Sequence, residues 1–146
     1  QNILRVIATN AQNLPTDKES LFFLNVKAIP ALSEEQRNQN VLQIALKTTI
    51  KLFYRPADLK GTLVQAVEGL QWRADGGHLS VHNPSGYNVV VSELLINNNA
   101  STGLPEVIKP GSSITTKIPF KNSDTLEFSY INEYGSTVKT TPVIAR

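Results

Sequence analysis

Two histidines, His78 and His82, fall on one face of a short alternating run and are the first candidates for chemistry, since imidazole nitrogens so placed can begin a metal site. No carboxylate or third ligand stands at useful spacing, so no metal is expected there. Cysteine is absent from the chain, which removes disulfides, thiolate nucleophiles and thiolate metal centres together. The serines lie in polar turns without an evident histidine partner, and there is no phosphate loop, no G-x-S-x-G and no zinc signature. No enzyme and no cofactor are expected. One charged residue stands apart. Lys51 sits between Ile50 and Leu52 in an apolar run, an uncommon place for a solvated charge, although a lone strand lysine is more often just that.

What Lys51 could do depends on the element that carries it. Val41 to Pro56, VLQIALKTTIKLFYRP, reads as a long alternating edge strand in which Leu42, Ile44 and Leu46 are spaced by two and project from one face. Arg55-Pro56 stops it, because proline cannot donate to a ladder and restricts the residue before it. The domain boundary belongs there. Upstream, Pro30 to Asn40 is polar and free of apolar periodicity, and is expected as a mobile loop. Ser20 to Ile29 and Ile3 to Thr9 read as two more strands, the former apolar on both faces and therefore interior. Three strands in residues 1–56 are too few for a sandwich and would expose a core. The missing strands are expected either upstream of Gln1 or from another chain.

Beyond Pro56 the pattern is richer. Thr62 to Gly69 is expected as a short helix, capped by Thr62 and ended by Gly69. Strands follow at Leu70–Arg73, His78–Asn83, Tyr87–Ile96, Val107–Ile108, Ser113–Ile118, Thr125–Ile131 and Val138–Ile144. Turns fall at Asp75-Gly76-Gly77, Asn83-Pro84-Ser85-Gly86, Asn97-Asn98-Asn99, Pro110-Gly111 and Tyr134-Gly135. This spacing indicates an all-β chain, with a complete immunoglobulin-like β-sandwich over residues 57–146 and the last strands of an incomplete one over residues 1–56. Trp72 is expected in the core of the complete sandwich, and Tyr134 as a packed turn aromatic.

Composition narrows the partners. Charged residues make up 18% of the chain and the formal net charge is +2. Residues 1–56 hold seven Lys/Arg against four Asp/Glu, and residues 57–146 seven against eight, so no basic face argues for nucleic acid or an anionic membrane. No run approaches the roughly 20 apolar residues of a membrane helix, and Gln1 does not open a signal peptide. A soluble chain without membrane insertion is expected.

Three stretches together carry a resemblance: LPTDKESLFFLNVKAIP at 14–30, LQIALKTTIKLFYRP at 42–56 and INEYG at 131–135. They resemble the signatures of periplasmic pilus (fimbrial) assembly chaperones, and the short stretch between the strands, with no cysteine pair, is similar to the short-loop branch. The resemblance starts near the fifth strand of the family's first domain and lacks what precedes it. It implies a two-domain immunoglobulin-like protein of the periplasm that caps pilus subunits by donor-strand complementation. In that mechanism a strand of the chaperone fills the groove of an incomplete subunit sandwich, and the subunit then passes to an outer-membrane usher. Leu42, Ile44 and Leu46 match the residues that enter the groove. Lys51 matches the lysine that contacts the subunit's C-terminal carboxylate, where a charge-assisted hydrogen bond sets the register of the added strand. Glu19, Arg55 and Glu133 match an interdomain ion-pair network. Glu133 stands where aspartate is commoner.

A different class also fits the residues: a structural or adhesive immunoglobulin-like module whose residues 1–56 form an arm that associates by strand exchange. Self-association, or complementation by another chain, would then satisfy the incomplete sheet.

Overall fold

The computed structural model describes residues 3–145, which form strands with two short α-helices and one 3-10 turn, Ala11–Asn13. Packing divides the chain into two compact units, one of Leu21–Tyr54 and the other of the residues up to Ser20 with those from Arg55 onward. The segment before Ser20 therefore packs with the second half of the chain, a different division from one at Pro56. The cause is local: the buried Glu19 donates its backbone N–H to the Gly86 carbonyl at 2.8 Å.

β1 (Ser20–Ala28), which enters the smaller unit at Leu21, and β2 (Leu46–Tyr54) pair as a two-stranded sheet. The strand expected from Val41 is shorter than its alternation suggests. Its ladder starts at Leu46 because β1 ends at Ala28 and Pro30, just beyond, has no N–H to extend the pairing. The polar stretch expected as a loop contains one turn of helix, α1 (Glu34–Arg37). Its signal was present as a capping box, with the Gln36 N–H donating to Ser33 Oγ and the Ser33 N–H to Gln36 Oε1. Glu34 and Glu35 in the first turn and Arg37 in the last suit the helix dipole. The run Ile3–Thr9 forms no strand: Ile3, Leu4, Val6 and Ile7 are exposed, with no neighbouring strand among the described residues to pair with.

The larger unit is a sandwich. After α2 (Leu63–Glu68), capped by Thr62 and ended at Gly69 as expected, come β3 (Gln71–Asp75), β4 (His78–His82), β5 (Val89–Ile96), β6 (Asn99–Ala100), β7 (Val107–Ile108), β8 (Ser113–Pro119), β9 (Leu126–Ile131) and β10 (Thr137–Lys139). One sheet runs β3-β4-β8; the other runs β10-β9-β5-β6, with β7 also on β5. Alternate residues of both sheets fill the core, among them Leu79, Val81, Val89, Ile108 and Leu126, and Phe120 joins them just past β8. Trp72 of β3 meets Phe128 of β9 at 5.1 Å between ring centroids, where the two layers touch. Two tight hairpins use left-handed residues, Gly76-Gly77 between β3 and β4 and Asn97-Asn98 between β5 and β6.

Two expectations are corrected here. The last strand covers Thr137–Lys139 instead of Val138–Ile144, since Pro142 cannot continue a ladder and, among the described residues, a single bridge, Val143 with Leu126, follows. Tyr134 is 89% exposed instead of packed. Its turn is held by the Asn132 side chain, which accepts from the Tyr134 and Ser136 N–H groups, and so the ring is left in solvent.

Candidate functional site

The residues expected to enter a partner's groove are open to solvent. Leu42 is 85% exposed, Ile44 59% and Leu46 68%, so none of them belongs to a core within this chain. Leu46 opens β2, whereas Leu42 and Ile44 lie in the five residues before it, outside the ladder with β1. Gln43 Nε2 donates to the Pro30 carbonyl at 2.9 Å and ties this segment back to the end of β1. Farther along β2, Ile50 is 47% exposed and continues the same face. Lys51 follows on the opposite face and is partly buried. The segment is thus a row of apolar side chains at period two on a backbone whose first half has no strand beside it among the described residues. Such an edge can accept or donate a strand.

The structure brings Glu19, Arg55 and Glu133 together, all within the larger unit. Glu19 is 5% exposed, and both of its oxygens are used. Oε1 accepts from the Asn88 backbone N–H at 2.7 Å, and Oε2 accepts from Arg55 Nε–H at 2.9 Å. Arg55 Nη1–H donates to Glu133 Oε1, so the longer acid at this position does reach the guanidinium. The guanidinium also lies 4.7 Å from the centroid of the Tyr87 ring. Burial works against the charge of Arg55, but its hydrogen bonds to Glu133 and Glu19 and their charges outweigh it and raise its pKa. One cation therefore clamps two carboxylates from distant parts of the chain.

The two ion pairs are unequal. Glu133 is 45% exposed in its side chain, where an ion pair contributes roughly 0–1 kcal/mol. The Glu19 side chain is 3% exposed, so its charge has exchanged water for the Asn88 N–H and Arg55, and losing either partner leaves it short of a bond it cannot replace.

The sequence reading missed the floor of this cluster. Tyr87, its Oη–H donating to the Gly61 carbonyl at 2.7 Å, and the backbone of Gly86 and Asn88 hold Arg55 and Glu19 in place. The one available signal was the turn Asn83-Pro84-Ser85-Gly86, whose glycine accommodates a close approach. A Cβ on Gly86 would lie 2.6 Å from the Asp17 carbonyl oxygen and 2.7 Å from Leu59 Cδ1. His82 is committed elsewhere, with Nδ1 within 2.7 Å of Ser113 Oγ. Among the described residues, no group of three or more His, Cys, Asp or Glu gathers where an ion could be held.

Comparison with known proteins agrees with this architecture. Residues 1–60 match the family model "Pili and flagellar-assembly chaperone, PapD N-terminal domain", and residues 65–142 match "Pili assembly chaperone PapD, C-terminal domain". The chain is 38% identical over 147 residues to chaperone protein FimC of Escherichia coli strain K12, covering 99% of this chain and 59% of that protein. It is 38% identical over 136 residues to the probable fimbrial chaperone LpfB of Escherichia coli O157:H7, covering 92% and 58%. The chain thus spans under two thirds of the length of these curated relatives. Among solved structures, the YadV chaperone aligns with a TM-score of 0.73 at 31% identity, over 92% of this chain and 67% of that one. The SafB chaperone of Salmonella enterica, in complex with the SafA pilin, aligns with a TM-score of 0.71 at 27% identity, over 89% and 60%. On the match to both domains, the shared fold and the identity over nearly the whole chain, this chain belongs to the PapD family of pilus-assembly chaperones.

Proposed function

We propose that this chain binds pilus subunits in the periplasm by lending them the strand that carries Leu42, Ile44 and Leu46, and that it delivers them to an outer-membrane usher. One observation carries the reading: a row of exposed apolar side chains at period two on backbone with no ladder partner among the described residues. A subunit whose sandwich lacks a strand presents the complementary groove. Main-chain hydrogen bonds supply affinity there, and alternate side chains supply fit. Lys51 anchors the subunit's C-terminal carboxylate and so fixes the register. Glu19 immediately precedes β1 and Arg55 immediately follows β2, so their ion pair joins the chain segment that leads into the pair to the one that leads out of it. The SafA–SafB complex supports the choice of partner, because that relative is seen with a pilin. Release requires only a better-fitting strand from the next subunit and no cofactor.

Co-expression with a pilin, followed by affinity capture, tests the reading. Replacing Leu42 and Ile44 together by Asp is expected to abolish capture. Lys51→Ala is expected to weaken it by about thirtyfold or more, as for loss of one partner of a hydrogen-bonded charge pair. Undiminished capture by both variants rejects strand lending.

A second reading rests on Phe22 and Phe23, exposed on the two faces of β1 at 44% and 59%. Such a sheet could be satisfied by a second copy. A dimer in solution that ignores pilin favours that reading.

A further inference from the structure

We infer that Tyr87 is a positioning residue for Arg55: its ring is the plate that holds the guanidinium between Glu19 and Glu133. This deepens the proposed role of the cluster and rests on that reading only for its effect on subunit binding. The geometry carries the rest. A guanidinium that donates through Nε to one carboxylate and through Nη1 to another must hold its plane while its long side chain remains free to rotate. Hydrogen bonds at two corners do not prevent tilting out of plane. A ring face 4.7 Å from Cζ does, and it attracts the cation through the ring quadrupole.

The plate itself is fixed on several sides. Tyr87 is 4% exposed, its hydroxyl donates to the Gly61 carbonyl at 2.7 Å, and its backbone N–H donates to Ser85 Oγ at 3.1 Å. Ser85 Oγ–H in turn donates to Asn83 Oδ1, and the fully buried Asn83 holds the Tyr87 and Ile108 carbonyls through Nδ2. Gly61 has φ +85 and immediately precedes Thr62, the cap of α2. The hydroxyl therefore joins the start of α2 to the Arg55 cluster. The neighbouring residue Asn88 supplies the N–H that fixes the second carboxylate oxygen of Glu19. One short segment thus sets both partners of the buried ion pair.

The test reads Arg55 directly. In the native chain, the side-chain Nε–H of Arg55 is expected to show an upfield ring-current displacement and slow exchange in ¹⁵N–¹H spectra. An Arg55 signal at the ordinary arginine position would overturn the assignment without any variant. Tyr87→Phe keeps the ring and is expected to retain the signal, whereas Tyr87→Leu is expected to lose it while the core amides of β5 and β9 keep their shifts. Tyr87→Leu with Arg55 unchanged, or Tyr87→Phe losing the signal as fully as Tyr87→Leu, rejects the plate role. Capture of pilin is expected to fall about two- to fivefold in Tyr87→Leu and to stay unchanged in Tyr87→Phe. Native chain that captures no pilin at all but shows the Arg55 signature refutes the binding role and leaves the positioning role standing.

Discussion

Glu19 and Glu133 share one arginine, but only Glu19 is out of water, and the difference in burial sets what each contributes. Glu19→Ala removes the acceptor for the Asn88 N–H and the inner partner of Arg55, at an expected cost of about 2–3 kcal/mol in urea unfolding. Glu133→Ala is expected to cost less than about 1 kcal/mol. Equal losses would show that exposure does not rank the pairs. Asp124 gives a pH-dependent counterpart at the far end of the sandwich. The Asn97 side-chain amide donates to its carboxylate, as does the Lys121 backbone N–H, and its pKa is held below the ordinary value. The ionised form is thus favoured in the folded state. Its contribution is complete above the ordinary carboxylate pKa and is lost as pH falls through the lowered one. The stability difference between native chain and Asp124→Asn is expected to shrink as pH falls from about 5 through the ordinary carboxylate pKa and on through the lowered one, measured by chemical unfolding at each pH.

The turn between β4 and β5 determines where the buried carboxylate of Glu19 sits. Gly86 lies under the Asp17-Lys18 backbone so closely that no side chain fits, and its carbonyl accepts from the Glu19 N–H. Gly86→Ala must push away both the Asp17 carbonyl and the Leu59 side chain, and is expected to destabilise by about 1–3 kcal/mol. Hydrogen exchange should speed up at Glu19 and Asn88 and stay slow in the centre of β9; protection unchanged at Glu19 would show that the segment is held by something else. The same dependence on neighbours explains why β2 is shorter than its alternation suggests. Alternation runs from Val41, but a ladder needs a partner, and Pro30 ends the one available.

The stability of the chain is distributed unevenly. Every residue of the buried apolar core lies at or beyond Leu63, in the larger unit, while the two-stranded sheet leaves Phe22, Phe23, Leu46 and Ile50 exposed. Amides of β1 and β2 are expected to exchange quickly in the isolated chain, and those of β5 and β9 slowly. Addition of a pilin with an open groove should protect residues 42–50 and leave β5 and β9 as they were. Unaltered exchange over residues 42–50 would exclude that segment as the donor.

Alternation, turn residues and caps depend on near neighbours along the chain, so the amino-acid sequence alone determined the all-β class, the Thr62-capped helix, the hairpin at Gly76-Gly77 and the burial of Trp72. The same local signals over-extended the last strand, because Thr137–Ile144 alternates whether or not Pro142 interrupts its pairing. Motif resemblance grouped Glu19, Arg55 and Glu133 and assigned groove residues to 42–46, but contact among them is not a local property. Arg55 lies 36 residues from one carboxylate and 78 from the other, and Asn88 lies 69 from the oxygen it fixes. Only the folded chain decided that Tyr87 underlies Arg55, that Gly86 leaves room for Asp17, and that Leu42 and Ile44 stay in water. Each is a question of which distant surfaces meet, and each is settled by packing and by the availability of a partner strand.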